Sequence, residues 1–403
     1  MRLLLVAPTA DRDAVGESWI AYQWISRLAE RHSVTVLSYY QRSGRPLAPQ
    51  VPNAQVVEWR EPPLLGRHER FNAMVNPGFI PFYRRARNWI LNAKKGGVKF
   101  DIAHQIVPVS LRYASPLVFG DSPYILGPVG GSLRSPAAFV SEEGRAPWFT
   151  SLRAIDAIRL RHDPKLRRSY ERAACVIGIA DYVQDILQDV SIKRFQALND
   201  TGIDTMPKPA EGSSRQKGVR FLFVGRVVRT KGVRDAVRAI SQLPGDQAVL
   251  DVVGEGYDRK TCQELAQELG VASIVRFHGR VAHSRVLEFY SDADVFLFPS
   301  YREAGGIVVT EAMSFGLPVI VCDAGGPAST VDDTSGIRVP AKDPGQYPLE
   351  LARAMQRLAM DPQLRSEMGK NARRRIRDIG LWEGRIAYIE ELYRDIIGTS
   401  PRD

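Results

Sequence analysis

Two carboxylates in the second half of the chain, Glu303 and Glu311, are the first candidates for chemistry. They lie eight positions apart, on either side of Gly305-Gly306. The run from Asp294 to Pro299 predicts a buried strand, and the run from Ile307 to Phe315 predicts a short helix. Because eight helical residues rise only ~12 Å, the two carboxylates cannot act on the same atom. The spacing instead predicts that they contact different parts of an elongated ligand.

The start of this predicted helix offers a site for an anion. Free backbone N–H groups and the helix dipole attract phosphate to a helix N-terminus. We therefore expect Gly305, Gly306 and Ile307 to face the anionic middle of the ligand. Glu303 is then expected at one polar end and Glu311 at hydroxyl groups on the other. The alternative is a solvated Glu311 and a chance loop charge at Glu303.

Two cations, Arg226 and Lys231, follow directly after a predicted strand in the run Arg220 to Val224. An arginine can bind two phosphate oxygens at once, whereas a lysine supplies a compact charge. Transfer of a group away from a diphosphate requires stabilisation of the leaving anion by a metal ion or by fixed cations. No aspartate-rich motif lies nearby, so the pattern favours fixed cations and no metal. The alternative is an ordinary pair of surface charges on a βα unit.

The first half of the chain contains weaker candidates. His104 ends a predicted strand and is a candidate to orient a substrate hydroxyl, although a lone histidine is more often structural. Gly16, just ahead of the first predicted helix, would let a diphosphate approach the backbone. The glycine-rich loop after Tyr124 to Leu126 either shapes an acceptor pocket or merely turns the chain. The loop candidates are Gly130, Gly131 and Ser132, and, for backbone contact with a nucleotide base, Gly279, Arg280 and Val281.

Several enzyme classes lose support because their motifs are absent. Gly254-Glu255-Gly256 lacks the third glycine of a dinucleotide fingerprint, since Arg259 stands at that position. The sequence also has no phosphate loop ending in Gly-Lys-Ser or Gly-Lys-Thr, no Gly-x-Ser-x-Gly elbow and no His-Glu-x-x-His helix. These observations argue against a dehydrogenase, a P-loop kinase, a serine hydrolase and a zinc protease.

Length and composition predict a folded chain of two domains. The sequence has 403 residues, of which 44% are apolar. The N-terminus is typical of a first strand rather than a signal peptide, and no apolar run is long enough to span a membrane. The cysteines fit no metal or redox spacing, which favours a reducing, cytoplasmic compartment without structural disulfides. They are Cys175, Cys262 and Cys322.

The net charge of +10 is concentrated in two basic groups with neighbouring aromatic residues. Basic segments with interfacial aromatics predict peripheral contact with an anionic membrane surface. No nucleic-acid module is present, so nucleic acid is the weaker partner, and solvated helix faces are the plain alternative. The first group is Arg84, Arg85, Arg87, Lys94, Lys95 and Lys99 with Phe82, Tyr83 and Trp89. The second is Arg159, Arg161, Lys165, Arg167 and Arg168 with Trp148 and Phe149.

Strand-like and helix-like runs alternate in two series, which predicts an α/β protein with two Rossmann-like domains facing across a cleft. We expect the first domain over 1–205 and the second over 206–381, joined by a linker between Thr201 and Gly218. The last helix, from Trp382, is expected to return to the first domain. Ligands bind at the carboxyl ends of such strands. The predicted strands start at 3, 34, 55, 101, 124 and 176, and then at 220, 248, 274, 295 and 319.

Taken in order, the motifs of the second series resemble the retaining glycosyltransferases of sequence family 4, which have the glycosyltransferase-B fold. Gly225-Arg226 with Lys231-Gly232 resembles the diphosphate clamp of that family. Val253 to Gly256 is similar to its next loop, and Phe277 to Arg280 to its nucleotide-base segment. Glu303 and Glu311, with seven residues between them, resemble its donor signature. In the first half, His104 and Gly16 match more loosely.

The resemblance implies a role for each matched residue. Glu303 would contact the donor sugar, Gly305-Gly306 the phosphates and Glu311 the ribose hydroxyls, while Arg226 and Lys231 bind the leaving diphosphate. The donor would be a UDP- or GDP-sugar, with no metal and no further cofactor. The family retains the anomeric configuration, commonly through front-side attack in which the leaving phosphate takes the acceptor proton.

We therefore expect a cytoplasmic enzyme, peripheral at the inner face of the cell membrane. Its acceptor is expected to be a glycan on a polyprenyl-type lipid carrier, in bacterial surface polysaccharide assembly, because the basic aromatic segments lie in the acceptor domain. One alternative is a glycosyltransferase of a soluble small-molecule acceptor. Another is a non-catalytic scaffold that binds a nucleotide or a glycan, and the intact set of Arg226, Lys231, Glu303 and Glu311 argues against it.

Overall fold

The computed structural model describes residues 1–14, 16–40, 45–61, 78–142, 154–209, 218–244 and 248–399. These residues divide into two compact units. The first unit contains 1–132, 154–200 and 386–399, and the second contains 133–142 together with the described residues of 201–385. The linker expected between Thr201 and Gly218 lies partly outside the described residues, as do Trp148 and Phe149.

The first unit is built on a seven-stranded parallel sheet with the strand order β3-β2-β1-β4-β5-β6-β7. Its strands are β1 Arg2–Val6, β2 Ser33–Tyr40, β3 Ala54–Arg60, β4 Ile102–Gln105, β5 Tyr124–Val129, β6 Cys175–Gly178 and β7 Phe195–Ala197. Its helices are α1 Glu17–Ala29, α2 Phe79–Lys95, α3 Ala154–His162, α4 Pro164–Arg172 and α5 Tyr182–Ile186. Two short 3-10 turns, Ala48–Gln50 and Pro116–Phe119, complete it.

Apolar periodicity explains this layering. Leu3, Leu5 and Val6 on the interior strand β1 are at most 1% exposed, as expected for a parallel strand covered on both faces. On α1, Ile20, Trp24 and Leu28 recur at every fourth position and are buried. The helix therefore packs one apolar stripe against the sheet and leaves its start, at Gly16, on the edge where the strands end.

The second unit is built on a six-stranded parallel sheet with the order β10-β9-β8-β11-β12-β13. Its strands are β8 Val219–Val224, β9 Ala248–Val253, β10 Val275–Gly279, β11 Val295–Phe298, β12 Val319–Cys322 and β13 Gly336–Val339. Its helices are α6 Val233–Ile240, α7 Arg259–Glu268, α8 His283–Asp292, α9 Ile307–Ser314, α10 Gly325–Thr330, α11 Gln346–Met360 and α12 Pro362–Ile379. The 3-10 turns Ala137–Glu142 and Arg229–Lys231 also belong to this unit.

The last helix, α13, spans Trp382–Thr399. Its first turn belongs to the second unit, and from Ile386 onward its residues belong to the first, as expected from the sequence. The buried hydroxyl of Tyr393 donates a hydrogen bond to a ring nitrogen of His104 on β4. This part of α13 therefore belongs to the core of the first unit.

The α/β architecture with two Rossmann-like sheets, predicted from the sequence, is confirmed. Two strands were not predicted, the short edge strands β7 and β13. They lack the continuous run of buried residues that marks an interior strand of similar length such as β11. The boundary expected after residue 205 falls after residue 200 in the structure. In addition, residues 133–142 belong to the second unit, because Phe139 is buried in its core.

Within the described ranges, no helix is both long enough and apolar enough to cross a membrane. The three cysteines are free and buried.

Candidate functional site

The candidate residues of the second unit lie on loops that leave one edge of its sheet. Strands β8 to β12 pair in parallel, so the loops that follow them all start at the same edge. This is the edge at which open α/β sheets bind ligands. The loops carry Arg226 and Lys231 after β8, Gly254 and Glu255 after β9, Gly279 to Val281 after β10, Glu303 to Gly306 after β11, and Gly325 and Gly326 after β12.

Lys231 and Glu303 form a direct ion pair between the Nζ atom and the Oε2 atom. Their side chains are only 9% and 22% exposed. The ammonium group also lies 5.5 Å from the ring centroid of Phe298, at the end of β11. The sequence predicted a role for each residue but not this contact. It brings a fixed cation and a carboxylate, 72 residues apart, to one point at the edge of the sheet.

Arg226 is placed differently from Lys231. It stands at the start of the loop, is exposed, and has no acidic partner within the described part of the chain. Lys231, by contrast, ends the 3-10 turn Arg229–Lys231 and is largely buried. The two predicted clamp cations therefore differ, since one is held by a carboxylate and the other is open to solvent.

Helix α9 begins beside this ion pair. Its N-cap residue is Gly306, with a φ angle of 82°, and no side chain caps the helix. The carbonyl of Gly306 accepts a hydrogen bond from the N–H of Val309 at 2.9 Å. The N–H groups ahead of Val309 precede the first intrahelical bond and are the ones that an anion would meet. The predicted helix is present, although it ends at Ser314 rather than Phe315.

Glu311 lies one turn into α9 and is not a solvated helix residue. The hydroxyl of Tyr290, on α8, donates a hydrogen bond to its Oε2 atom at 3.0 Å. Burial raises the pKa of Glu311, and this hydrogen bond opposes the rise. Tyr290 is fully buried and was not a candidate from the sequence, since nothing in its spacing connects it to Glu311.

The predicted base-side loop begins at Gly279, where β10 ends. The N–H of Gly254 donates to the carbonyl of Gly279 at 2.8 Å, which ties this loop to the one after β9. A Cβ atom at Gly279 would lie 2.8 Å from the carboxylate of Glu255, so the position has little room for a side chain. Arg280 is exposed and Val281 is half-buried. Contact of this loop with a base remains a prediction.

His104 does not fit the catalytic role expected for it. It is 1% exposed, and both ring nitrogens are occupied within the first unit. Nε2 donates to the carbonyl of Gly127 at 2.6 Å, and Nδ1 accepts from the hydroxyl of Tyr393 at 2.6 Å. Burial lowers the pKa of His104 to about 4, which keeps the ring neutral. With neither nitrogen available to a substrate, the structure assigns this residue to the core.

The remaining candidates of the first unit lie at loop starts. Gly16 is the N-cap of α1 with a φ angle of 70°, and open space surrounds the position of a Cβ atom there. The N–H of Gly131 donates to the hydroxyl of Tyr182 at 3.1 Å. Ser132 has a φ angle of 54°, and its hydroxyl lies 3.5 Å from Asp156. The loop of Gly130 to Ser132 is thus ordered by its own unit, and its acceptor role remains a prediction.

One charged residue near the ion pair was missed by the sequence analysis. Arg229 begins the turn that ends at Lys231 and is 0% exposed. Its guanidinium group binds both oxygens of Asp235 and one oxygen of Glu142. A cation between the two predicted clamp residues was visible in the sequence, but its partner Glu142 lies 87 residues away along the chain and carries no local pattern.

Known proteins resemble this chain both in sequence and in structure. Residues 207–375 match the family described as glycosyl transferases group 1. The D-inositol 3-phosphate glycosyltransferase of Corynebacterium kroppenstedtii is 31% identical over 236 residues, which cover 55% of this chain and 50% of that protein. The chain thus spans about half the length of the curated relatives that it matches.

Solved structures extend the resemblance to nearly the whole chain. Sucrose-phosphate synthase from Thermosynechococcus elongatus has a TM-score of 0.67 at 22% identity, covering 99% of this chain and 100% of that one. Alr3699/HepE of Anabaena, in complex with UDP, has a TM-score of 0.65 at 17% identity, covering 98% and 100%. At these identities the likeness shows the fold, which is that of glycosyltransferase-B. The match over 207–375, the segment that carries Lys231, Glu303 and Glu311, shows that this part of the chain is similar to the glycosyl transferases group 1.

Proposed function

We propose that this protein is a retaining glycosyltransferase that moves a sugar from a nucleotide diphosphate donor to an acceptor. The observation that carries the proposal is the convergence of Lys231, Glu303 and the start of α9 at one edge of the second sheet. A cation, a carboxylate and a helix N-terminus side by side suit a ligand with an anionic middle and a polyhydroxyl end. Glu311, held by Tyr290, then accepts hydrogen bonds from the ribose.

Each side chain has a defined task in this proposal. Lys231, Arg226 and the N–H groups at Gly305, Gly306 and Ile307 stabilise the negative charge that develops on the leaving diphosphate. Glu303 orients the donor sugar and neutralises Lys231 until the donor arrives. The bond from the anomeric carbon to the leaving oxygen breaks while the acceptor oxygen attacks from the same face. The leaving phosphate takes the acceptor proton, and the configuration is retained.

The donor is proposed to be a UDP- or GDP-sugar, used without a metal ion or other cofactor. The Anabaena protein, whose structure is similar, was solved in complex with UDP, which favours a uridine nucleotide. Fixed cations at the diphosphate make a divalent ion unnecessary for leaving-group stabilisation. Contact of the base with the backbone of Gly279, Arg280 and Val281 completes the proposed donor site.

The test measures binding of UDP, GDP and ADP, and hydrolysis of their sugars, with chelator present. Lys231→Ala is expected to weaken binding of the preferred diphosphate ~10- to 100-fold, since a charge-assisted contact is lost. Glu303→Gln is expected to bind the diphosphate at least as well as the parent, because Lys231 loses its competing carboxylate, while turnover falls ~100-fold.

The matched control is Lys260→Ala, a lysine that is also paired with a glutamate but lies exposed on α7. It should behave like the parent. Binding of no diphosphate by the parent, or equal effects of the Lys231 and Lys260 changes, would overturn the donor site. The anomeric configuration of the product, read by NMR, decides retention.

For the acceptor we propose a lipid-linked glycan at the cytoplasmic face of a membrane. The supporting observation is the exposed basic side of α2. Phe82, Ala86 and Ile90 of this helix are buried, whereas Ile80 is 60% exposed and neighbours an exposed Arg84. Basic side chains beside an exposed apolar one suit an anionic bilayer surface. The second basic group fits less well, because Arg159, Arg161 and Arg167 each form ion pairs with acidic residues of the first unit.

The alternative, a small-molecule acceptor, is favoured by the names of two similar proteins, a D-inositol 3-phosphate glycosyltransferase and a sucrose-phosphate synthase. Cosedimentation with vesicles containing phosphatidylglycerol separates the two. The lipid-linked proposal predicts binding that weakens with salt and is lost in Arg84→Glu with Lys95→Glu, but not in Lys260→Glu. Absence of vesicle binding, with turnover of a sugar phosphate or polyol, would establish the alternative.

A further inference from the structure

The 3-10 turn Ala137–Glu142 is the unusual part of the second unit, since it precedes the rest of that unit by some sixty residues. Phe139 anchors it. This side chain is 0% exposed, with its ring centroid 4.5 Å from that of Tyr301 and 5.9 Å from that of Tyr347. The turn is therefore packed into the core that supports the loop after β11.

Arg229 is the charged centre of this contact. Its Nε atom donates to Glu142 at 2.8 Å, and its Nη2 atom donates to Asp235 at 3.1 Å. Its guanidinium carbon lies 5.5 Å from the centroid of Phe139 and 5.4 Å from that of Tyr301. The two carboxylates and the two rings together fix the orientation of this buried guanidinium group.

The charges of this cluster balance. Asp235 is fully buried and also lies 3.6 Å from Arg238, so two arginines face Asp235 and Glu142. Asp235 comes from α6, directly after the turn of Arg229, and satisfies one side of the guanidinium locally. Glu142 comes from the distant turn and is 28% exposed. The ion pair between Arg229 and Glu142 thus links the turn Arg229–Lys231 to the turn Ala137–Glu142.

Both loops that carry the Lys231–Glu303 ion pair meet at this cluster. Arg229 is two residues before Lys231 on one loop, and Tyr301 is two residues before Glu303 on the other. The hydroxyl of Ser300 donates to the carbonyl of Thr230 at 3.1 Å, which joins the loops again. Arg229 and Lys231 share one 3-10 turn, so the contacts of Arg229 help to place the backbone that carries the Lys231 ammonium group.

We infer that Phe139 and Glu142 are positioning residues for the diphosphate clamp, acting through Arg229 on Lys231. The inference rests on the proposed function, because it needs a diphosphate at Lys231. Neither residue touches the ligand in this account. Their effect is to hold the turn Arg229–Lys231 where its cation meets the leaving phosphate, and it is therefore specific to the part of the donor that the clamp binds.

The experiment compares two ligands on each variant, the nucleoside monophosphate and the diphosphate of the preferred base. The ratio of their dissociation constants reports the clamp alone, since any inactive fraction of protein affects both values. We expect Glu142→Gln to weaken diphosphate binding about five- to tenfold and monophosphate binding less than about twofold. Phe139→Leu, which keeps an apolar side chain, should change the ratio in the same direction.

The matched control is Glu350→Gln on α11. Glu350 is 35% exposed and pairs with Arg353 at 2.6 Å, so the same ion-pair chemistry is removed away from the loops. Its ratio should equal that of the parent. A double-mutant cycle adds a second readout, because the effect of Glu142→Gln should largely vanish in a Lys231→Ala background.

Three results would count against the inference. If the parent binds diphosphate and Glu142→Gln leaves the ratio unchanged, or shifts it as much in the Lys231→Ala background, the turn is structural and the inference fails alone. If the parent binds no nucleoside diphosphate, the proposed function fails and this inference fails with it.

Discussion

At the scale of single residues, the two predicted catalytic side chains have opposite surroundings. Glu303 keeps 22% of its side chain exposed and contacts Lys231, whereas His104 is sealed between Gly127 and Tyr393. Both stand near the carboxyl end of a strand. A side chain there points either towards the edge of the sheet where ligands bind or into the core between sheet and helices. The sequence marks the strand end but does not say which partner, such as Tyr393 on the last helix, will reach the ring.

The buried His104 predicts a pH dependence of stability in the first unit. The unfolded chain takes up a proton near pH 6.5, whereas the folded ring resists protonation down to about pH 4. The contribution of neutral His104 to the free energy of unfolding is therefore fully present above pH 6.5 and is lost as the pH falls towards 4. The advantage of the parent over His104→Asn should shrink by about 3 kcal/mol across this window.

Denaturant titrations at a series of pH values, followed by tryptophan fluorescence, measure this effect. The signal reports mainly the first unit, where Trp19, Trp24, Trp59 and Trp89 lie. His162→Asn, which replaces an exposed histidine of the same unit, serves as the control. A gap between parent and His104→Asn that stays constant from pH 7 to pH 4 would refute the assignment of a buried neutral ring.

At the scale of elements, backbone contacts between loops hold the site. Gly232 has a φ angle of 73°, and a Cβ atom there would lie 2.1 Å from the carbonyl oxygen of Pro299. The turn of Lys231 is thus pressed directly against the loop of Glu303. The sequence shows Lys231-Gly232 as a motif, and the structure gives its physical reason: only glycine lets the two loops approach this closely.

Gly232→Ala and Gly270→Ala form a matched pair at this scale. Gly270 has nearly the same φ angle, 70°, but no atom lies within 4 Å of the Cβ position. Gly270→Ala should therefore cost about 1–2 kcal/mol from the left-handed backbone alone. Gly232→Ala should cost about 1–3 kcal/mol more through the clash.

Gly232→Ala should also weaken diphosphate binding, because Lys231 moves with the turn. Thermal unfolding and calorimetric titration measure the two effects. Equal stability and equal binding of the two variants would show that the loops are not held by this contact.

At the scale of the whole molecule, each unit takes residues from a distant part of the sequence. The second unit takes 133–142, with Phe139 in its core, and the first takes α13 from Ile386 onward. Ile389, Leu392 and Tyr393 of that helix are at most 3% exposed. A cut at residue 205 would therefore leave both halves incomplete, since the first would lose α13 and the second would lose Phe139.

A chain that ends at Arg385 tests whether the first unit needs α13. We expect the first unit to lose hydrogen-exchange protection on β1 and β4, because the buried face of α13 and the partner of His104 are gone. Peptides from 248–375 should stay protected. A chain that ends at Thr399 is the control and should match the parent. Unchanged protection of β1 and β4 after the cut at Arg385 would contradict a core role for α13.

The sequence by itself determined the two parallel sheets and the set of donor-side candidates, because strand and helix periods and short motifs are local in the chain. Parallel strands then bring Arg226, Lys231, Glu303 and Glu311 to one edge without any further information. The tertiary structure alone decided the Lys231–Glu303 ion pair, the burial of His104 by Tyr393 and the hold of Glu142 on Arg229. Each of these joins residues 70 or more positions apart. Such contacts join single side chains of different elements, and one pair of distant residues leaves no periodic pattern in the sequence.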